Sequence, residues 1–312
     1  MENYNLLMLD RKLSLHLLFP DSEYEPIEER LRSHFELKGI DISISKGTEI
    51  GTRSDCLFIA PHEFSWEFQL KCIQKKEWNW IHLSTAGYDF FPLQSVSPRT
   101  LVTRSWKAYA QPLSEYILRA ALNHAGNITK TGLRGQKIGV VGYGEVGRLT
   151  VHLLLQLGAQ VRVLRKSGAE IPGIRVVRKV QDLLDVEQLI LAIPLNSESV
   201  GIIDKNFLIS CHEKLHIINV ARGELIDQDA LVEAVQNRGL NATLDVTVPE
   251  PLPHDHPLRN LKGVVVTNHI AWKSGLDIFY PLQDFLEVWD TMRAGNIPPG
   301  ILKKREAILV EA

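Results

Sequence analysis

The first candidate binding motif consists of three glycines in the segment 137–147, KIGVVGYGEVG. Gly142, Gly144 and Gly147 are spaced as G-x-G-x-x-G between a short apolar run and an amphipathic, leucine-rich segment. In a strand, turn and helix of this kind, the first glycine allows the sharp turn. The second lets a pyrophosphate approach the backbone, and the third lets the helix pack on its strand. The spacing predicts a dinucleotide-binding turn, and a close-packed turn without a ligand is the alternative.

The helix predicted to follow this turn, over 145–157, supplies the phosphate contacts. The amide N–H groups of a helix N-terminus have no partner inside the helix, and the helix dipole favours an anion there. We therefore predict that the backbone of Glu145 and Val146 binds the cofactor phosphates together with the glycines.

The choice of cofactor is predicted from the end of the next strand, over 160–164. An NAD-binding domain usually carries an acidic residue about 20 positions after the glycines, where it hydrogen-bonds the ribose 2′-hydroxyl. This sequence has Arg165, Lys166 and Ser167 there and no carboxylate. An arginine binds a 2′-phosphate through charge-assisted, bidentate hydrogen bonds. We therefore favour NADP(H) over NAD(H), with a solvated basic turn as the alternative interpretation.

Three later stretches contain side chains that suit the reduction of a carbonyl group: INVARG with Arg222, LDVTVPEPLP with Glu250, and TNHIAW with His269. A histidine has an ordinary pKa of about 6.5, so it can exchange a proton near neutral pH, and an adjacent carboxylate favours its charged form. An arginine can orient a substrate carboxylate and polarise a carbonyl oxygen. Taken singly, the three residues could equally be a surface ion pair, a loop carboxylate and a core histidine.

The elements that must position these residues follow two rounds of alternating strands and helices. In the first round we predict helices over 21–35 and 64–75 and strands over 13–19, 40–44, 57–60 and 80–84. This alternation is typical of a small parallel α/β unit. A long helix over 111–124 is predicted to link it to the glycine-rich strand. The second round, a doubly wound nucleotide domain, has further strands over 160–164, 189–193, 215–220, 242–246 and 264–267.

Composition argues against several other classes of protein. The 312 residues predict about two domains, and 45% of them are hydrophobic and 23% charged, as is typical of globular proteins with ordinary cores. A net charge of -2 without a basic run argues against nucleic acid as a partner. Charged residues interrupt the apolar N-terminus before it could cross a bilayer or act as a signal peptide, so we predict no membrane partner.

The spacing of cysteines and histidines predicts neither disulfides nor a metal site. Cys56, Cys72 and Cys211 are too few and too scattered for a disulfide framework, and we expect buried, reduced thiols in a cytoplasmic protein. His254 and His256 flank an aspartate in a proline-rich turn, but no further ligands cluster with them in the sequence. We therefore predict no metal.

The chain resembles the D-2-hydroxyacid dehydrogenases, the family that includes glyoxylate/hydroxypyruvate reductases and D-glycerate, D-lactate and phosphoglycerate dehydrogenases. The resemblance is strongest over 133–272, where INVARG, LDV-x-x-x-EPLP and HIAW match in order and spacing. It implies an α/β fold of two doubly wound parallel-sheet domains. A Rossmann cofactor domain over 101–273 is inserted into a flavodoxin-like substrate domain over 1–100 and 274–312. The resemblance also implies a homodimer joined through the cofactor domains.

The resemblance further implies which residues act. Arg222, Glu250 and His269 match the family's triad, with His269 as the acid and base, Glu250 as its carboxylate partner and Arg222 bound to the substrate. Ala86 and Gly87, which alone would indicate a plain turn after a strand, match the loop whose amides hold the substrate carboxylate. Further cofactor contacts match at three positions: Pro194, Val220 and Asp245.

The predicted function is the NAD(P)H-dependent reduction of a small 2-oxo acid, such as glyoxylate or hydroxypyruvate, to a D-2-hydroxy acid. The alternative is a nucleotide-sensing, protein-interacting module, as in the corepressors that share this fold. Arg104, Trp106 and Lys107 depart from the smaller and less basic residues usual in the family. They indicate either hinge packing and solvated charge or a pocket for a larger or more anionic substrate.

Overall fold

The computed structural model describes residues 12–50, 54–126, 132–166, 170–274 and 279–303. The chain forms two compact units, of which the first combines Met1–Tyr109 with Gly275–Ala312 and the second is Ala110–Ser274. The second unit is therefore inserted between the two parts of the first. The sequence predicts limits of 101–273 for the inserted domain, and these limits remain a prediction.

The first unit is built on six strands: β1 (Lys12–Leu18), β2 (Asp41–Lys46), β3 (Cys56–Ile59), β4 (Trp80–Leu83), β5 (Leu101–Arg104) and β13 (Ile301–Lys303). They form one sheet in the order β2-β1-β3-β4-β5-β13, in which only β13 is antiparallel to its neighbour. The parallel part has the strand order 2-1-3-4-5 of flavodoxin-like folds. The helices of this unit are α1 (Tyr24–Leu37), α2 (Trp66–Gln74) and α7 (Phe279–Arg293).

Aromatic stacking joins the sheet of the first unit to α7. The ring of Phe285 on α7 lies 4.7 Å from that of Trp80 on β4 and 4.6 Å from that of Phe58 on β3, stacked in both cases. All three side chains are buried. On the same core, α1 buries a stripe of residues spaced four apart: Ile27, Leu31 and Phe35.

The second unit is built on seven strands: β6 (Lys137–Val141), β7 (Gln160–Leu164), β8 (Arg175–Val177), β9 (Gln188–Leu191), β10 (His216–Asn219), β11 (Asn241–Leu244) and β12 (Val264–Val266). All neighbours are parallel in the order β8-β7-β6-β9-β10-β11-β12, which begins with the 3-2-1-4-5-6 order of Rossmann folds. Its helices are α3 (Ala110–His124), α4 (Glu145–Gln156), α5 (Lys205–Ser210) and α6 (Gln228–Arg238). Across the described residues of both units, no helix is long and apolar enough to span a membrane.

These two sheets confirm the predicted α/β class with two doubly wound parallel-sheet domains. The sequence reasoning missed β5, β8 and β13, because strands of three or four residues carry too little periodicity to be recognised. The helix predicted over 21–35 begins only at Tyr24, since Asp21–Glu23 forms a separate 3-10 turn. The helix predicted over 64–75 begins at Trp66, after Ser65 caps it by accepting a hydrogen bond from the Phe68 N–H.

Leu31 and Leu37 test the core of the first unit, because they lie on the same helix, α1, and are 0% and 86% exposed. Leu31→Ala is expected to lower the free energy of unfolding by about 2–5 kcal/mol, through lost burial and a residual cavity. Leu37→Ala is expected to change it by less than about 0.5 kcal/mol. Urea titration followed by circular dichroism measures both values. Equal effects of the two substitutions would contradict the packing described here.

Candidate active site

The predicted site residues of the second unit follow the carboxyl ends of its parallel strands. Gly142 to Gly147 follow β6, Arg165 and Lys166 follow β7, Pro194 follows β9, Val220 and Arg222 follow β10, Asp245 and Glu250 follow β11, and His269 follows β12. This edge is where open α/β sheets bind their ligands. The topology of the sheet therefore collects residues that are far apart in the sequence.

Glu250 and His269 are in direct contact in the candidate site. The Oε1 atom of Glu250 lies 2.9 Å from Nδ1 of His269. The histidine side chain is 45% exposed and the glutamate side chain 35%, so both reach solvent. Because Nδ1 faces the carboxylate, we assign it as the protonated donor nitrogen. The other ring nitrogen, Nε2, is then left to exchange a proton with a substrate.

The turn that carries His269 is held by the side chain of Asp245. His269 has a left-handed backbone conformation, with φ of 53°, which is uncommon for a residue other than glycine. The carboxylate of Asp245 accepts hydrogen bonds from Thr267 Oγ1 at 2.6 Å, from the Ile270 N–H at 2.8 Å and from the Ala271 N–H at 2.9 Å. The backbone carbonyl of Asp245 accepts a further bond from the His269 N–H at 2.8 Å. Asp245 therefore fixes this turn, and its predicted contact with the nicotinamide stays a prediction.

Arg222 lies in a turn that Asn219 fixes. The Nδ2 atom of Asn219 donates to the carbonyl of Arg222 at 2.7 Å, and its Oδ1 accepts from the Ala221 N–H at 3.1 Å. The next residue, Gly223, packs so closely that an added Cβ would lie 2.4 Å from the carbonyl carbon of Thr247. The turn that carries Arg222 therefore contacts the loop that follows β11, which leads to the other members of the triad.

The three glycines after β6 meet different demands. Gly142 has φ of 104°, and a Cβ there would lie 2.4 Å from the carbonyl oxygen of Ala192. A Cβ on Gly147 would lie 2.4 Å from the carbonyl oxygen of Gly142. At Gly144, by contrast, an added Cβ would meet no atom of the described residues within 4 Å. The protein itself does not require glycine at this position, so the open space fits the predicted approach of a pyrophosphate.

The N-terminus of α4 fits the same ligand. Its N-cap residue is Gly144, which supplies no side-chain hydrogen bond to the first turn. The N–H groups of Glu145 and Val146 are therefore left without a side-chain cap, as at helix ends that bind phosphate. The carboxylate of Glu145 forms an ion pair with Arg148 at 2.5 Å, which reduces its repulsion of an anion.

The basic residues after β7 lie close to the glycine-rich turn. The Cζ atom of Arg165 lies 5.5 Å from the ring centre of Tyr143, within the range of cation–π contacts. The exposed ammonium group of Lys166 pairs with Glu198. Ser167, the third residue of the predicted 2′-phosphate site, lies outside the described residues. The position of Arg165 beside the turn fits a dinucleotide that carries an additional phosphate.

Pro194 and Val220 lie at the same edge of the sheet. The carbonyl of Pro194 accepts a hydrogen bond from Ser199 Oγ at 2.8 Å, which fixes the loop after β9. Val220 is 7% exposed and belongs to the core between the sheet and its helices. Their contacts with a cofactor stay predictions.

In the first unit, Ala86 and Gly87 lie in the loop that follows β4, which we call the substrate loop, 84–88. Three side chains donate hydrogen bonds to carbonyl oxygens of this loop. Tyr109 donates to the carbonyl of Ser84 at 2.7 Å and Arg104 to that of Ala86 at 2.5 Å. Thr85 donates to the carbonyl of Gly87 at 2.7 Å. Within the described part of the chain, the N–H groups of Ala86 and Gly87 donate to no acceptor. A loop with occupied carbonyls and unpaired amides suits the binding of a carboxylate.

The three unusual residues at the end of β5 and just after it have different surroundings. The ammonium group of Lys107 pairs with the carboxylate of Glu287 on α7. The backbone N–H groups of Trp106 and Lys107 donate to Oδ2 of Asp284 at 2.8 and 3.0 Å. The ion pair with α7 therefore accounts for Lys107, whereas the backbone bond of Trp106 would form with any side chain. Arg104 instead contacts the substrate loop.

Three residues of the motifs support the site in roles that the sequence did not predict: Asn219, Thr267 and Trp272. The hydroxyl of Thr267 forms a hydrogen bond of 2.7 Å with the hydroxyl of Tyr116 on α3. It also donates to the carboxylate of Asp245. Trp272 Nε1 donates to the carbonyl of His269 at 2.8 Å. Asn219 could have been recognised as an amide at the end of a buried strand, because a buried amide needs partners.

One histidine of the proline-rich turn, His256, has a structural role. The Nδ1 atom of His256 accepts a hydrogen bond from the Leu258 N–H at 3.2 Å and so caps a short 3-10 turn. In the ranges that the structure describes, no group of three or more His, Cys, Asp or Glu residues could hold a metal ion. The three cysteines are buried, and burial raises the pKa of Cys72 to about 11.

Comparison with known proteins identifies the family of the chain. The sequence profile described as D-isomer specific 2-hydroxyacid dehydrogenase, NAD binding domain, matches residues 104–271. A hydroxypyruvate reductase of Blautia hydrogenotrophica is 31% identical over 144 residues, which are 45% of this chain and 45% of the relative. Glyoxylate/hydroxypyruvate reductase A of Serratia proteamaculans is 33% identical over 139 residues, which are 43% and 44% of the two chains. The chain thus spans less than half the length of these curated relatives.

A solved structure with the same fold is the D-isomer specific 2-hydroxyacid dehydrogenase of Xanthobacter autotrophicus Py2 in complex with NADPH and MES. It superposes with a TM-score of 0.75 at 22% identity, over 93% of this chain and 97% of that one. The profile match covers more than half of this chain and falls largely within the second unit. As the sequence motifs predict, the chain belongs to the D-isomer specific 2-hydroxyacid dehydrogenase family, with its NAD-binding domain over residues 104–271.

Proposed function

We propose that this chain is a nicotinamide-dependent reductase of small 2-oxo acids, which it converts to D-2-hydroxy acids. The observation that carries the proposal is the pairing of Glu250 with His269, 2.9 Å apart, on a turn that the buried Asp245 holds. A paired imidazole at the ligand-binding edge of an α/β sheet suits general acid–base catalysis. The two relatives named above are reductases of hydroxypyruvate or glyoxylate, which supports a substrate of similar chemistry.

Three side chains divide the work on the substrate. His269 donates a proton from Nε2 to the carbonyl oxygen as that oxygen gains negative charge, and Glu250 stabilises the charged imidazole. Arg222 orients the substrate carboxylate and polarises the carbonyl oxygen. When bound, the nicotinamide supplies the hydride that the carbonyl carbon accepts. In the oxidative direction, His269 takes the proton back from the hydroxyl group.

The backbone of the glycine-rich turn and the first turn of α4 would hold the cofactor phosphates. We propose NADP(H) as the preferred cofactor, because Arg165 provides a cation where NAD-binding domains usually carry a carboxylate. NAD(H) is the alternative cofactor.

In the first unit, the unpaired N–H groups of Ala86 and Gly87 are the proposed donors to the substrate carboxylate. We also propose a cytoplasmic homodimer formed through the cofactor domains, on the basis of the family resemblance. Light scattering during size-exclusion chromatography tests the dimer.

His269→Ala tests the proposed reaction. It is expected to lower kcat/KM for a reduced 2-oxo acid by about 10²–10⁴, since the general acid is lost. NADPH affinity, measured by nicotinamide fluorescence, is expected to stay unchanged. His152→Ala, which removes an exposed histidine on α4, is the control. Wild-type protein that binds NADPH but reduces none of glyoxylate, hydroxypyruvate, pyruvate and oxaloacetate would refute the reductase and favour the nucleotide-sensing role.

Asp245→Asn tests how the turn is held, because an NH₂ group would replace an oxygen that accepts backbone N–H bonds. We expect kcat to fall by about tenfold or more as His269 loses its fixed position, with NADPH affinity retained. Asp255→Asn, at an exposed position in the loop that follows Glu250, is the control. A variant with normal kcat and weak NADPH binding would instead support the predicted nicotinamide contact.

Arg165→Ala tests the cofactor preference. The loss of a charge-assisted bond to the 2′-phosphate is expected to raise KM for NADPH by about 10–100-fold and to leave KM for NADH nearly unchanged. Arg175→Ala removes an exposed arginine at the start of the adjacent strand β8 and serves as the control. If the two cofactors respond equally to Arg165→Ala, Arg165 does not select the phosphate.

A further inference from the structure

The side chain of Arg104 is a feature of the first unit that the proposed function leaves unexplained. Arg104 ends β5 in register with Leu83 of β4, so it lies beside the start of the substrate loop. Its Nη1 atom donates to the carbonyl of Ala86 at 2.5 Å, and its Cζ atom lies 5.8 Å from the ring centre of Tyr88. The guanidinium group is therefore held against the loop that is proposed to bind the substrate.

The charge of Arg104 is not matched by a carboxylate at ion-pair distance. Within the described ranges, its side chain donates one hydrogen bond, to Ala86, and forms no salt bridge. Burial lowers the pKa of Arg104, and nearby Tyr88 and Asp284 offset that effect only in part. The guanidinium still stays protonated at neutral pH. A partly desolvated cation with donors left over is stabilised by an anion.

Lys107, three residues further on, provides the contrast. Lys107 belongs to the same basic stretch, 104–107, but its ammonium group pairs with Glu287 of α7. The charge of Lys107 is therefore already neutralised by the protein. Of these two cations, only Arg104 is without a carboxylate at ion-pair distance in the described part of the chain.

The unpaired amides of the same loop form a separate anion-binding element. The N–H groups of Ala86 and Gly87 can bind one carboxylate through hydrogen bonds without a formal charge. A guanidinium can bind another carboxylate by itself, through two parallel charged hydrogen bonds. The loop and Arg104 together therefore have the capacity for two acid groups.

We propose that Arg104 binds a second carboxylate of the substrate, so that the enzyme prefers 2-oxo diacids to 2-oxo monoacids. This inference rests on the proposed reductase function and deepens it by naming the substrate class. Arg104 is then a specificity-determining residue, while the amides of the substrate loop bind the carboxylate that every 2-oxo acid carries.

The test compares kcat/KM for oxaloacetate and 2-oxoglutarate with kcat/KM for glyoxylate and pyruvate, with NADPH as the cofactor. The wild type is expected to have a kcat/KM for the diacids that is higher by about tenfold or more. This factor corresponds to the free energy that one charged hydrogen bond contributes. Arg104→Met is expected to lose this preference, and Lys107→Met, which removes the same charge nearby, is expected to keep it. Arg104→Lys keeps the charge and is expected to keep part of the preference. If Arg104→Met does not fold, Arg104→Lys takes its place in the comparison.

Two kinetic results would overturn the proposal. One is a wild type that favours the monoacids. The other is an Arg104→Met protein that slows monoacids and diacids by the same factor, because Arg104 would then only hold the carbonyl of Ala86 in place.

A binding experiment separates this proposal from the reductase function. Malonate and acetate are titrated into the wild type, Arg104→Met and Lys107→Met by calorimetry, which needs no turnover. If no 2-oxo acid is reduced, tighter binding of malonate that is lost only in Arg104→Met would support the two-carboxylate site and refute the reductase. Equal affinity for the two anions in all three proteins would overturn the site itself.

Discussion

The carboxylate of Asp245 is the interaction on which the candidate active site of the second unit depends. It is 1% exposed, and such a buried charge is stable only when hydrogen-bond donors surround it. The turn after β12 supplies those donors, from one hydroxyl and two backbone N–H groups. The turn is in this way fixed to the end of β11. The unusual backbone of His269, and hence the direction of its ring toward Glu250, follow from this anchoring.

Both units meet the same physical problem at the ends of their parallel strands. A loop that leaves a buried strand must satisfy backbone groups that no longer belong to the sheet. In the second unit, short acceptor and amide side chains, Asp245 and Asn219, do so from the strand ends themselves. In the first unit, Tyr109 and Arg104 donate to carbonyl oxygens of the substrate loop, while the N–H groups of Ala86 and Gly87 donate to no acceptor among the described residues. The polar groups left over in each loop are the ones that a substrate could use.

The sequence predicts the parts of this structure that have a strong local signal. The glycine spacing, the long amphipathic helices and the buried strands were sufficient for the α/β class, and the ordered motifs INVARG, LDV-x-x-x-EPLP and HIAW for the family. The predicted triad members Glu250 and His269 are in contact, but the reason they meet lies in long-range bonds such as Thr267 to Asp245, which no local pattern reveals. Short edge strands such as β13 were missed because pairing with a neighbour, rather than their own periodicity, defines them.

The different demands on the three glycines have an evolutionary consequence. Gly142 and Gly147 are required by the packing of the chain on itself, so their loss disturbs the fold. Gly144 is bordered by open space among the described residues, so no packing contact there requires glycine. If a pyrophosphate approaches this backbone, as the motif predicts, a side chain at this one position would leave the scaffold folded and exclude the nucleotide. Selection on the scaffold and selection on the chemistry thus act on separate residues of a single six-residue turn, and a family built on it can lose its enzymatic role in one step.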